Sequence, residues 1–104
     1  NCNLVELPIE KKWATHSYWL YNIILKNEIA NKRSTIMKRL EQAGIEVRPM
    51  FYPASDMKIY KNFVRSKNIS KISYRGISLP SYVGLAKNDI KFITNNIKKI
   101  LDSF

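Results

Sequence analysis

Apolar and polar positions change rhythm several times along these 104 residues. Residues 1–15 carry no clear period. Pro8 and the charges of Glu10, Lys11 and Lys12 read as a lead-in loop, with Trp13 placed to anchor it on the core. Residues 16–26, HSYWLYNIILK, are rich in Tyr, Trp and Ile and predict a strand. Alternation would put Tyr18, Leu20, Asn22 and Ile24 on one face and Trp19, Tyr21, Ile23 and Leu25 on the other. Apolar side chains on both faces predict a central strand covered twice.

The rhythm then becomes helical. Over residues 31–43, Ile36, Met37, Leu40 and Ala43 form one apolar stripe, Asn31 can cap the start, and Gly44 ends the helix. Lys38 and Arg39 sit near its C-terminus, where cations suit the helix dipole. A strand is expected at once, over Ile45, Glu46, Val47 and Arg48. Residues 55–64 predict a short helix with Met57, Tyr60 and Val64 on one face. Residues 66–75 are polar and predict a loop leading into a turn of helix. Gly76, Ile77, Ser78 and Leu79 predict a short strand stopped by Pro80. Residues 81–85 read as a loop. Residues 88–104 predict a helix, with Ile90, Ile93, Ile97, Ile100, Leu101 and Phe104 at three- and four-residue steps.

Strand, helix, strand, short helix, strand, helix is an α/β order. The expected fold is a single domain over residues 1–104, a small mixed sheet of about three strands with helices packed on it. There are no internal repeats or low-complexity segments.

Composition narrows the chemistry. Apolar residues make up 45% of the chain, enough for one core, and the run Ile23-Ile24-Leu25 is far too short to span a membrane. One cysteine, Cys2, cannot form an internal disulfide and fits a reducing cytoplasm. With one Cys and one His, no metal set is expected. Net charge is +10, from 18 Lys and Arg against 8 Asp and Glu, a balance that attracts phosphates. The lysines are dispersed, however, as on a solvated surface. The chain has three glycines, none spaced as a phosphate loop, and neither a Gly-x-Ser-x-Gly elbow nor a His-Glu-x-x-His helix. No catalytic residue is assigned. The start at Asn1 without Met predicts a piece cut from a longer protein.

One stretch stands out, GIEVRPMFYP at residues 44–53. Pro49 and Pro53 should hold Arg48, Phe51 and Tyr52 in a stiff bend at a strand end, either a binding edge or an ordinary loop. The Arg48 fork suits a carboxylate or phosphate; its other reading is a surface ion pair with Glu46 or Asp56. Tyr52 can donate to a sugar or phosphate oxygen, or pack as a rim aromatic. Phe51 is either core, the preferred reading, or a ligand wall. Ser55 is a helix cap first and a ligand contact second. His16, at the start of its strand, is structural or solvent-facing before it is a contact.

Taken together, HSYWLYNIIL, KRSTIMKRLEQAGIEVRPMFYP, MKIY and RGISLPSYVGLAKNDIKFITNNIKKIL resemble the C-terminal small domain of the DegT/DnrJ/StrS-type sugar aminotransferases. Arg48–Pro53 is most similar to the perosamine synthase-like branch. The resemblance implies the aspartate aminotransferase-like fold. It also implies a pyridoxal phosphate enzyme that moves an amino group from glutamate to a nucleotide-linked 4-keto-6-deoxy sugar, with a surface polysaccharide as one destination. The cofactor would be bound by a preceding large domain, and the full-length protein would be a homodimer with no membrane or nucleic-acid partner. Arg48, Tyr52, Phe51, Ser55 and His16 become the candidate substrate contacts. Two departures matter: Ala54-Ser55-Asp56 stands where many relatives have a histidine, and Ala86 stands where a Ser or Thr cap is usual. Two other readings stay open, a stand-alone basic module stacking nucleic-acid bases on Tyr18, Trp19 and Tyr21, and a domain that only completes a dimer.

Overall fold

The computed structural model describes residues 3–60 and 67–104. Within them the order is β1 (Val5–Glu6), β2 (Tyr21–Leu25), α1 (Arg33–Gln42), β3 (Arg48–Pro49), α2 (Lys67–Ser73), β4 (Gly76–Leu79) and α3 (Lys87–Leu101). The strands form one sheet in the order β1-β2-β4-β3, and every neighbouring pair is antiparallel. The α/β class is as expected, but a four-stranded antiparallel sheet replaces the mixed sheet of about three strands. The extra strand is β1, two residues long and too short to show a period. It is held by Val5↔Leu25, Glu6↔Ile24 and a bond from Lys26 N–H to the Leu4 carbonyl at 2.9 Å.

β2 is central in the sheet, as its two-faced pattern predicted, but it begins at Tyr21 rather than at residue 16. Upstream the backbone turns away. Tyr18 has φ 52°, in the left-handed region, and its N–H donates to His16 Nδ1 at 2.8 Å instead of to a ladder. The faces are unequal. Ile23 and Leu25 on β2 and Ile77 on β4 are buried against Ile36 and Leu40 of α1 and Ile93 and Leu101 of α3. Asn22, Ile24, Gly76 and Ser78 point to the face without those helices. Among the described residues, α1 and α3 cover one face of the strand, not both.

The α1 end is the clearest case of sequence dictating backbone. Gly44 has φ +79°, its N–H donates to the Glu41 carbonyl and the Ile45 N–H donates to the Leu40 carbonyl, both at 2.9 Å. These two bonds are a Schellman motif, and Leu40 and Ile45 at its ends are both buried in the core. The start of α1 differs from expectation. A 3-10 stretch, Asn27–Lys32, precedes it, the cap position is Lys32, and Asn31 caps nothing. The expected strand at residues 45–48 is only partly realised. Its alternation holds, since Ile45 and Val47 are buried while Glu46 and Arg48 are exposed, but pairing starts at Arg48. Ile45 N–H is already used by the helix end, and β4 finishes at Leu79 before Pro80. Pro49 is in the ladder after all, on an edge strand where a missing N–H is tolerated.

Other expectations need adjusting. Trp13 does not anchor the lead-in on the core; it is 85% exposed, on a tight turn closed by Ala14 N–H to the Lys11 carbonyl. The short helix expected at residues 55–64 is two 3-10 turns, Ala54–Asp56 and Lys58–Tyr60, broken at the extended Met57; residues 61–64, Val64 among them, lie outside the described residues. Residues 67–73 form a regular helix where mostly loop was expected. α3 starts at Lys87, with Ala86 at its cap. Alanine has no side-chain acceptor, yet Asp89 Oδ2 accepts the Ala86 N–H at 3.2 Å, so half of a capping box survives. No helix among the described residues is long and apolar enough to cross a membrane.

Candidate functional site

The five candidate contacts fall into separate groups. Arg48 leaves the sheet from edge strand β3, and its Nη2 pairs with Glu46 Oε1 at 2.9 Å. Both side chains are 78% exposed, so the pair adds about 0–1 kcal/mol to stability and leaves the fork open to exchange partners. Asp56, the other partner considered, instead accepts from Tyr74 Oη at 3.2 Å and from Ser70 Oγ at 3.5 Å. That hydrogen bond to the Asp56 carboxylate, with some desolvation, raises the Tyr74 pKa above the ordinary tyrosine value.

Tyr52 packs its ring on Tyr74, with centroids 5.5 Å apart and planes tilted by 53°. It is thus an exposed rim aromatic supported by a second, hydrogen-bonded tyrosine. Phe51 is not in the core: it is 68% exposed, and its ring lies 6.3 Å from that of Trp19. Its backbone is what the core holds, since Ser73 Oγ donates to the Phe51 carbonyl. Ser55 is half-buried inside the 3-10 turn; the cap position of that turn is Pro53, so Ser55 is not its cap.

His16 is occupied structurally. Its N–H donates to Glu10 Oε1 at 2.8 Å, its Nδ1 accepts from Tyr18, and its ring stacks on Tyr18 with centroids 4.3 Å apart. Tyr18 stacks in turn on Tyr21 at 6.0 Å.

The sheet adds residues that sequence reading passed over. Register sets Asn22 opposite Ser78 and Ser78 opposite Arg48, so the three side chains form a row on the face without α1 and α3. Ser78 Oγ donates to Asn22 Oδ1 at 2.6 Å. A polar residue inside each apolar strand, YNIIL and GISL, was the available signal. On the other face, an apolar cavity of about 610 Å³ lies beside α3, lined by Tyr18, Tyr21, Leu79, Tyr82, Val83 and Ile90 among others.

Among the described residues, no lysine has the buried setting that a pyridoxal phosphate Schiff base needs. A Schiff-base lysine must be shielded from water, whereas every lysine with a described side chain is exposed except Lys26, which is half-buried. Nor could any group of three or more His, Cys, Asp or Glu among the described residues hold a metal ion.

The sequence pattern of the DegT/DnrJ/EryC1/StrS aminotransferase family matches residues 1–98. GDP-perosamine synthase from Vibrio cholerae is 40% identical over 92 residues, covering 86% of this chain and 25% of that protein. The aminotransferase TlmJ from Streptoalloteichus hindustanus superposes with a TM-score of 0.84 and 17% identity over 97% of this chain and 27% of its own. A protein of Streptococcus pneumoniae described as a sugar aminotransferase, in its PMP form, superposes with a TM-score of 0.76 and 20% identity over 96% of this chain and 26% of its own. The chain thus spans about a quarter of the length of these relatives. An antiparallel sheet carrying α1 and α3 on one face, the Arg48–Pro53 strand end and a family pattern running from residue 1 to residue 98 agree: the chain belongs to the DegT/DnrJ/EryC1/StrS aminotransferase family.

Proposed function

We propose that the chain is the small-domain quarter of a cytoplasmic, homodimeric, pyridoxal phosphate-dependent aminotransferase. That enzyme transfers an amino group from glutamate to a nucleotide-linked 4-keto-6-deoxy sugar. The observation that carries the proposal is the 40% identity to a GDP-perosamine synthase over most of the chain. Arg48 and Tyr52 fit the part. Both side chains are exposed, and they flank a segment stiffened by Pro49 and Pro53, which lowers the entropy lost on binding. Arg48 can turn its fork from Glu46 to a substrate phosphate or donor carboxylate, and Tyr52 Oη can donate to a sugar or phosphate oxygen. The cofactor chemistry belongs to the remaining three quarters of such an enzyme. Nothing in the family match favours the stand-alone nucleic-acid module.

The test is a chimera in which this chain replaces the matching quarter of the Vibrio cholerae enzyme, assayed for amination of the nucleotide-linked keto-sugar with glutamate. Arg48→Ala should lower kcat/KM about tenfold to a hundredfold, the equivalent of a lost charge-assisted bond. Arg48→Lys should recover only part of it, since an ammonium lacks the fork. Tyr52→Phe should cost less, about twofold to tenfold. The Arg48–Glu46 pair is exposed, so melting should barely change. A chimera that folds but does not aminate would refute the proposal.

A further inference from the structure

The apolar stripe of α3 is wider than the fold uses. Ile93 and Leu101 are buried against the sheet, but Ile90, on the turn before Ile93, is 49% exposed. The cavity of about 610 Å³ beside it runs on into a second of about 380 Å³, and Tyr21, Leu79, Thr94 and Ile97 line both. The two make one trough. Its floor is the helix-bearing face of the sheet, because alternation and register put Val5, Tyr21 and Leu79 on the same side as the buried Ile23, Leu25 and Ile77. One wall is α3, where Ile90, Thr94 and Ile97 follow steps of four and three along roughly 10 Å of its axis. α1 packs on α3 and β4, yet none of its residues lines the trough, so the trough lies along the flank of α3 away from α1. Among the described residues, no helix other than α3 lines it.

We infer that this trough seats a further helix, amphipathic and acidic along one edge, supplied by the other three quarters of the enzyme. The inference rests on the function proposed above and adds an interdomain contact to it. The chain covers 25% of its Vibrio cholerae relative, so most of such an enzyme lies outside it. A wall stepped in threes and fours offers the ridges between which another helix packs, at an axial spacing of about 8–10 Å. A small molecule fits less well, because such a site directs polar groups at its ligand. Here Ser81 Oγ donates to the Trp19 carbonyl at 3.0 Å and Thr94 Oγ1 to the Ile90 carbonyl at 2.7 Å, so both hydroxyls are engaged within the chain. Charge sets the edge. Lys87, Lys91 and Lys98 are exposed at steps of four and seven, which puts them on one flank of α3, and Lys98 itself lines the trough. Asp102, four residues after Lys98, offsets one of the three. A second copy would bring a chain of net charge +10 against itself, whereas a helix edged with carboxylates would meet these lysines favourably.

The test labels single cysteines introduced on α3, with Cys2→Ser removing the natural one. Thr94→Cys reports on the trough, and Lys99→Cys, turned roughly 140° around the helix, reports on its open side. Both positions are exposed, so in the 104-residue chain both should react with a thiol reagent at similar rates. In the chimera, read by mass spectrometry of the labelled peptides, Thr94→Cys should react at least about tenfold more slowly while Lys99→Cys keeps its rate. Reversing the flank with Lys87→Glu, Lys91→Glu and Lys98→Glu should speed Thr94→Cys labelling in the chimera at least about threefold, with little change in the melting of the 104-residue chain. Equal Thr94→Cys rates in the chain and in a cooperatively melting chimera would overturn the assignment, as would equal slowing at Lys99→Cys. A slow rate in the isolated chain that rises on dilution would make a second copy the occupant and overturn it too. An unchanged rate after charge reversal would overturn the acidic edge. Labelling does not depend on turnover, so the two ideas separate. If the chimera aminates while Thr94→Cys stays open, the contact is wrong and the function stands; if Thr94→Cys is protected and the chimera does not aminate, the function is wrong and the contact stands.

Discussion

Two regions of this molecule use the same kinds of residue to opposite effect. In the seam between the sheet and α1 and α3, Ile23, Leu25, Ile36, Leu40, Ile77 and Leu101 are almost wholly buried. At the rim, Trp19, Phe51, Tyr52 and Tyr74 are larger side chains with more apolar area, and all four are substantially exposed. Hydrophobicity alone therefore did not decide what was buried. In the seam, helical and strand periods bring apolar positions into register from elements far apart in sequence. On the rim, a left-handed residue at Tyr18 and the 3-10 turn that follows Pro53 take the chain out of register, and the aromatics pair with each other instead.

The comparison breaks most sharply in the seam. Leu40→Ala removes a fully buried side chain beside the Schellman motif and should destabilise the chain by about 2–5 kcal/mol in denaturant unfolding. Phe51→Ala, although a larger deletion, should cost well under half as much, because its ring already lies mostly in water. Equal losses would mean that the rim is core after all.

An intermediate effect is expected where the two regions touch. A Cβ on Gly76 would lie 2.5 Å from Met50 Cβ, on the side-chain stem and not at a flexible tip. Gly76→Ala should therefore push β3 from β4 and cost roughly 1–3 kcal/mol. If melting is unchanged, β3 is held more loosely than its ladder implies.

The smallest effect belongs to the rim alone. The Tyr74 pKa is raised chiefly by its hydrogen bond to Asp56. The folded chain then holds this proton after the unfolded chain has lost it. The contribution is complete below the unfolded value of about 10 and is lost as pH rises through the higher folded value. Stability should fall above about pH 10, and Tyr74→Phe should remove that part of the fall. An identical alkaline profile in the variant would show that the bond contributes nothing.

Much of the seam could be read from sequence. The three- and four-residue steps of α3, the stripe of α1 and the glycine that ends it each encode their structure within a few residues. The row of Asn22, Ser78 and Arg48 could not be read that way. Asn22 and Ser78 are 56 residues apart, and only strand register makes them neighbours. Phe51, expected in the core, is exposed because the alternation that buries Ile45 and Val47 does not continue beyond the end of β3 at Pro49. His16, expected at a strand start, lies five residues before β2, and its acceptor nitrogen is taken by the Tyr18 N–H, a local bond that no periodicity announces.

The outermost strands have a bearing on how the chain behaves in crowded solution. An exposed sheet edge is a template on which another molecule can add a strand, and repeated addition gives fibres. Here both edges are two residues long, β1 at one side and β3 at the other. One carries Glu6, while the other carries the Arg48 charge and Pro49, which has no N–H to offer an incoming strand. A passing copy would find almost no ladder to extend at either side. A chain with 45% apolar residues is thus protected from edge-to-edge self-association by the shortness of its own margins.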